Sequence, residues 1–76
     1  MINAYQFGTQ KGTFTILLGR DGWFAVFNNE VFDGPFDSPQ GAIDDVANGY
    51  SAWPDCGDPS LLGISDDISD WIPGRV

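Results

Sequence analysis

Residues 13–27, with the sequence TFTILLGRDGWFAVF, decide the fold of this chain. Residues 13–18 begin by alternating threonines with apolar side chains, which is typical of a strand that rests one face on a core. Residues 23–27 are apolar on both faces, which suits the central strand of a sheet. A glycine-flanked turn at residues 19–22 joins the two segments, so the stretch predicts an antiparallel hairpin.

Two further strands are predicted on either side of this hairpin. Residues 2–7 alternate weakly and are predicted to form an edge strand. Residues 31–36 predict another strand, which Gly34 and Pro35 interrupt. Because proline cannot donate a hydrogen bond to a strand ladder, we expect this strand at a sheet edge or at a bulge.

The next segment carries the start and stop signals of a short helix. Ser38 suits the N-cap, Pro39 suits the first helical position, and Asn48-Gly49 suits the C-terminal end. Between these signals, apolar residues recur at helical spacing and form a narrow stripe that we expect to lie on the sheet. The residues of the stripe are Ala42, Ile43, Val46 and Ala47.

The tail is less regular. Residues 50–60 predict an irregular arm, and Ser65 is expected to cap a second short helix that Pro73-Gly74 ends. We expect Trp53 and Trp71 to pack against the apolar surface that the first helix leaves uncovered. The inward-facing residues of the second helix are predicted to be Ile64, Ile68, Trp71 and Ile72.

These elements predict one α+β domain over residues 1–76. Its expected architecture is a three- or four-stranded antiparallel meander with one helix packed on a face and a short C-terminal helical turn. The first residues have neither the basic nor the apolar segment of a signal peptide, and no apolar run approaches the ~20 residues that span a bilayer. A cytoplasmic location is therefore expected.

The distribution of charge restricts the class of partner. The chain has 11 acidic and 3 basic residues and a net charge of −8, and no Lys or Arg lies between Asp21 and Gly74. Such a negative field repels nucleic acid and anionic membranes and attracts basic surfaces. We therefore expect a protein partner with a basic surface and no direct contact with nucleic acid or membrane. The oligomeric state is left open, and an alternative interpretation is that the acidic residues only keep a small protein soluble.

The residue types disfavour catalysis and metal binding. The chain has no His, which is the usual general base near neutral pH and the commonest metal ligand. Its single cysteine, Cys56, stands between Asp55 and Asp58, and a negative environment disfavours the thiolate that acts as nucleophile. Neighbouring residues of a helix diverge by about 100°, so Asp44 and Asp45 are not expected to hold one ion together. No catalytic residue, metal or cofactor is predicted, and the protein is not expected to be an enzyme.

The positive prediction is a binding surface on the helix and tail. Its carboxylates are expected to gather on one side and to imitate the phosphates of a nucleic acid, as an inhibitor of a basic nucleic-acid-handling protein would. Aromatic side chains in excess of what the core needs would supply anchors. In the alternative, a small structural or self-associating domain binds through an aromatic apolar face. The predicted partner-binding residues are Asp44, Asp45, Asp55, Asp58, Asp66, Asp67, Asp70 and Trp53.

Several segments resemble a known group of proteins. The most specific is the run S-x-L-G-I-x-D-D at residues 60–67 with Trp71 following, and residues 12–23, 36–40 and 44–49 add to it. They resemble small uncharacterised bacterial proteins associated with phages and mobile elements, which implies a compact cytoplasmic domain. The predicted strands and helix are also similar to three-strand-plus-helix DNA-binding domains of recombinases, whose basic residues this chain lacks. In size and charge the chain is similar to small acidic phage inhibitors, including anti-CRISPR proteins.

Overall fold

A computed structural model describes residues 2–75 and shows one helix packed on a five-stranded antiparallel sheet. Two short 3-10 turns, Pro59–Leu61 and Ile68–Asp70, lie in the tail. The order of strands across the sheet is β4-β3-β2-β1-β5. The predicted α+β class with an antiparallel sheet is confirmed. The elements are β1 (Ala4–Thr9), β2 (Gly12–Leu18), β3 (Trp23–Phe27), β4 (Glu30–Phe36), α1 (Pro39–Asn48) and β5 (Ile72–Gly74).

The hairpin of β2 and β3 forms the middle of the sheet, as the sequence predicted. Phe14 lies opposite Phe27 and Ile16 lies opposite Ala25, so these four side chains share the face that the helix covers. The rings of Phe14 and Phe27 are 4.9 Å apart between centroids. Phe14, Ile16 and Ala25 are buried and form the centre of the core with the apolar stripe of α1.

The prediction of an edge strand at residues 2–7 is wrong, because β1 is paired on both sides. Beyond β1 the tail adds β5, with Ala4 opposite Gly74 and Gln6 opposite Ile72. Ile72 therefore does not face inward from a helix, and 68% of its surface is exposed. Pro73 fits this strand because β5 is the outermost strand, where a missing backbone donor need not break a ladder. The sheet thus has five strands where three or four were expected.

Strand β4 is the opposite edge, and it carries the irregularity that its Gly-Pro pair predicted. The register against β3 shifts between Trp23 and Val26. Gly34 has φ +123°, and a side chain there would begin 3.0 Å from the carbonyl oxygen of Trp23. Only glycine allows the two strands to approach so closely at this position, so Gly34 explains why the bulge occurs here.

Helix α1 begins and ends where its capping residues predicted. The Ser38 hydroxyl accepts a hydrogen bond of 3.0 Å from the Gly41 amide, and Gly49 closes the helix in the left-handed conformation at φ +64°. Ala42, Ile43 and Val46 are buried against the sheet. Helices this short are marginal alone, so the buried stripe stabilises α1 in the fold.

The tail forms 3-10 turns where a second helix capped by Ser65 was expected. Asp67, not Ser65, is the N-cap of the second turn, and its carboxylate accepts from the Ser69 amide at 2.9 Å. An aspartate side chain that accepts a hydrogen bond from the amide two residues ahead closes a tight turn. Such a turn competes with a regular helix. Trp71 then enters the core with 2% of its surface exposed, and its indole Nε1 donates to the Ser65 carbonyl at 2.9 Å.

Candidate binding surface

Helix α1 separates most of the predicted carboxylates into two groups. We call Asp33, Asp44, Asp45 and Asp58 the C-terminal acidic group, because they surround the C-terminal half and end of α1. We call Asp66, Asp67 and Asp70 the N-terminal acidic group, because Gln40, in the first turn of α1, bonds to the backbone of residues 66 and 68. A helix of ten residues is about 15 Å long. The carboxylates that were predicted to lie together on one side therefore form two separate groups.

Asp45 is the centre of the C-terminal acidic group. Burial raises the pKa of Asp45 above its ordinary value, and the neighbouring carboxylates of Asp33 and Asp44 raise this pKa further. The Ser51 hydroxyl opposes them with a hydrogen bond of 2.8 Å to the Asp45 carboxylate. The pKa of Asp45 is raised overall, so the surroundings of this carboxylate disfavour its charged form.

Asp33 belongs to this group although it was not among the predicted site residues. It lies on β4 at the bulge, and its two oxygens accept from the amides of Gly34 at 2.8 Å and Ala52 at 3.3 Å. The contact with Ala52 ties β4 to the tail beside α1. Which side of the sheet Asp33 faces depends on the register shift, so the interrupted Gly-Pro strand was the only sequence signal for it.

Asp58 completes the group at the end of α1. A side chain on Gly49 would begin 2.5 Å from the Asp58 carboxylate and 3.4 Å from the Trp53 indole nitrogen, so both lie against the helix end. The C-terminal end of a helix carries a partial negative charge, and α1 has no basic residue in its last turn. Within residues 2–75 no carboxylate forms a salt bridge. The negative field at this end of the helix is therefore uncompensated.

The N-terminal acidic group has a local structural role. Asp67 accepts from both the amide and the hydroxyl of Ser69 at 2.9 Å, and these bonds, the backbone one first, lower the pKa of Asp67. Asp70 accepts from the Ser65 hydroxyl at 2.6 Å. Two of the three carboxylates thus close the second 3-10 turn, while Asp66 uses only its backbone carbonyl, which accepts from Gln40.

Trp53 lies at the surface beside the C-terminal acidic group. Its side chain is 54% exposed, and its indole Nε1 donates to the Gly49 carbonyl at 3.0 Å. It does not pack against the apolar surface as expected, whereas Trp71 does, with 2% of its surface exposed. Trp53 instead forms one wall of an open cleft of about 130 Å³. The cleft is lined by Phe27, Glu30, Val31, Phe32, Trp53, Pro54 and Asp55.

Most of the other aromatic side chains pack in the core. Tyr5 lies 5.9 Å from Trp23 between ring centroids, whereas Tyr50 is 71% exposed.

The sheet face away from α1 carries a shallow groove of about 190 Å³ that is mainly aliphatic and polar. The groove is lined by Gln6, Thr15, Leu17, Val26, Asn29 and Val31.

The described residues contain no group of three or more His, Cys, Asp or Glu side chains placed to hold a metal ion. Cys56 is a partly buried free thiol. None of the helices within residues 2–75 is long and apolar enough to cross a membrane.

Comparisons with protein-family models, curated proteins and solved structures found no match to this chain.

Proposed function

We propose that the protein is a non-enzymatic binding module whose acidic surface at the C-terminal end of α1 contacts a basic surface on a partner protein. The observation that carries this proposal is the C-terminal acidic group itself. Four carboxylates surround the negative end of a helix, and within residues 2–75 no salt bridge compensates any of them.

This arrangement opposes folding, because the like charges repel one another and the helix dipole adds to the repulsion. The raised pKa of Asp45 has the direction that such repulsion and burial produce. Lys and Arg side chains of a partner would relieve the repulsion, and the field would steer the partner towards this surface. The favoured ligand is therefore a cationic protein surface.

The finer part of the proposal is that this partner is a nucleic-acid-handling protein and that binding inhibits it. The two acidic groups flank α1, a helix about 15 Å long, with the N-terminal group at its first turn and the C-terminal group along its second half and end. The length of the helix is of the same order as the ~12 Å width of the major groove between two phosphate strands. Two clusters of negative charge at this spacing support the idea of a phosphate mimic, as in small acidic phage inhibitors.

The test is capture from a lysate of the native host at low ionic strength, with bound proteins identified by mass spectrometry. We expect basic nucleic-acid-handling proteins to bind the wild type, and the double variant Asp44→Lys/Asp45→Lys to lose them. The control Asp21→Lys/Asp37→Lys changes the net charge equally away from the C-terminal acidic group. Undiminished capture by the Asp44/Asp45 variant would overturn the proposal. For the inhibitory part, the wild type should displace duplex DNA from the captured partner in a fluorescence anisotropy assay.

Self-association is the second candidate function, with the acidity serving solubility. The aliphatic groove on the open sheet face, lined in part by Leu17, Val26 and Val31, favours it. The groove that favours it is aliphatic, since most aromatic rings pack against the core. Analytical ultracentrifugation at high protein concentration distinguishes the two candidates, because a clean monomer would count against self-association.

A further inference from the structure

We infer that the cleft beside Trp53 receives an arginine side chain of the partner protein. This inference rests on the proposed function, since it names the group on the basic partner that the acidic surface takes. The cleft lies between the start of β4 and the tail, and it combines an exposed aromatic ring with two carboxylates, those of Glu30 and Asp55.

The aromatic walls of the cleft are held in place before any ligand binds. The indole of Trp53 is anchored by its 3.0 Å hydrogen bond to the Gly49 carbonyl. Phe27 and Phe32 both pack against the buried Phe14, Phe27 with tilted rings at 4.9 Å between centroids and Phe32 edge-to-face at 6.0 Å. Pro54, which also lines the cleft, is buried. A preformed site avoids the entropy of ordering side chains on binding.

The carboxylates of the cleft have no partner among the residues that the structure describes. Glu30 and Asp55 are exposed, and neither side chain forms a hydrogen bond or salt bridge with any residue in the described range 2–75. This distinguishes them from Asp58, Asp67 and Asp70, which bond to neighbouring serines. Their acceptor oxygens are therefore available to a ligand.

The chemistry of the lining selects a guanidinium group. A planar cation stacks on an indole face, and its five donors match carboxylate oxygens. Its methylene stem would contact apolar lining residues such as Phe27 and Phe32. Lysine supplies the charge but not the planar stacking. The volume of about 130 Å³ is below the roughly 300–1,000 Å³ of sites for drug-sized ligands, so it suits one side chain.

The cleft is continuous with the C-terminal acidic group. Trp53 borders the cleft, and its indole nitrogen and the Asp58 carboxylate lie against the same residue, Gly49. An arginine in the cleft would thus sit at one end of a longer contact, with further basic side chains of the partner over Asp45 and its neighbours. The cleft supplies orientation, and the acidic group supplies long-range attraction.

The test is a nuclear magnetic resonance titration of the full chain with acetyl-Gly-Arg-Gly-amide, followed at the indole N–H of Trp53. Matched peptides carry lysine or the neutral isostere citrulline in place of arginine. We expect saturable shifts for arginine in the millimolar range, affinity reduced roughly fivefold for lysine, and no saturation for citrulline. Equal responses to arginine and citrulline would overturn the inference.

Variants locate the binding. Glu30→Gln/Asp55→Asn should lower the arginine peptide's affinity roughly tenfold, whereas the control Asp21→Asn/Asp66→Asn, with the same change in charge, should lower it less than twofold. Because Glu30 and Asp55 are exposed and make no hydrogen bond within residues 2–75, these variants should keep the amide spectrum of the wild type. Trp53→Leu removes the indole N–H, so binding of the arginine peptide to this variant is followed at the backbone amides of residues 30–32. It provides an independent check on the role of the indole.

The outcomes separate this inference from the proposed function. If Asp44→Asn/Asp45→Asn abolishes peptide binding and Glu30→Gln/Asp55→Asn does not, the cleft is not the site, and the acidic binding surface stands. If the peptide binds the cleft as expected while partner capture is unaffected by Asp44→Lys/Asp45→Lys, the proposed surface fails and the arginine site stands.

Discussion

Gln40 holds Ile68 across 28 residues of sequence. Its side-chain Oε1 accepts a hydrogen bond of 3.2 Å from the Ile68 amide, while its Nε2 donates to the Asp66 carbonyl at 2.7 Å. One side chain thus satisfies a backbone donor and a backbone acceptor of the tail at once. The pair fixes the second 3-10 turn to the first turn of α1, and Trp71 enters the core directly after it.

Replacing this amide tests how strongly the tail is held. Gln40→Ala should lower the free energy of unfolding by about 1–2 kcal/mol, because two hydrogen bonds to backbone groups are lost at a partly solvated site. The control is Gln10→Ala in the exposed turn between β1 and β2, where less than about 0.5 kcal/mol is expected. Urea denaturation measures both. Equal effects of the two substitutions would show that Gln40 does not hold the tail.

The two indole nitrogens of the tail should differ in their contribution to stability. Trp71→Phe leaves the partly buried Ser65 carbonyl without its donor and should cost about 1–3 kcal/mol. Trp53→Phe removes a bond of similar length to Gly49, but the exposed carbonyl there can bond to water, so less than about 1 kcal/mol is expected. Thermal unfolding of both variants provides the comparison. A larger loss for Trp53→Phe would contradict the assignment of Trp71 to the core.

Alanine substitutions at Gly49 and Gly63 distinguish the cost of backbone strain from the cost of a steric clash. Both have left-handed φ values, +64° and +71°, so alanine at either position should cost about 1 kcal/mol. At Gly63 a new side chain meets nothing within 4 Å, whereas at Gly49 it would lie 2.5 Å from the Asp58 carboxylate.

Asp58 cannot move freely, because it accepts from both the amide and the hydroxyl of Ser60 at the first 3-10 turn. Gly49→Ala should therefore cost about 1–3 kcal/mol more than Gly63→Ala in chemical denaturation. Equal costs would show that the Asp58 carboxylate yields without loss.

The parts of the fold with local signals could be predicted from sequence. The hairpin of β2 and β3 follows from its alternation and its turn, and α1 follows from Ser38 and Gly49, whose chemistry acts within a few residues. Residues 72–74 carry no such signal. A proline and a glycine at the end of a chain predict a stop, and only the free edge of β1, more than sixty residues away, makes them a strand.

The arrangement of the candidate site depends on contacts that no local pattern encodes. Asp33 approaches Asp45 because a register shift in β4 and the bond to Ala52 bring strand and tail to the end of α1. Asp66 and Asp67 separate from Asp45 because Gln40 binds the tail at the other end of the helix. Composition predicted an acidic surface, but its division into two groups is a property of the tertiary structure.

The pH dependence of stability should identify Asp45 as a charge that opposes folding. Its pKa in the folded protein lies above the ordinary 3.8, mainly because of burial, with Asp33 and Asp44 adding to the shift. As pH rises from 3.8 through this raised pKa, the unfolded chain releases the proton first, so the folded state binds more protons. Stability therefore falls across this window, and the loss persists at neutral pH.

Asp45→Asn should remove this loss, because asparagine carries no charge and keeps an oxygen that can accept from the Ser51 hydroxyl. We expect the variant to match the wild type below pH 3.8 and to become more stable than it as pH rises through the window, with a constant difference above it. Asp21→Asn, which removes a charge at the β2–β3 turn, is the matched control and should show a smaller difference at neutral pH. Urea denaturation from pH 3 to pH 7 gives both curves. If Asp45→Asn is less stable than the wild type at pH 7, the carboxylate stabilises the fold, and the uncompensated charge that supports a basic partner is absent.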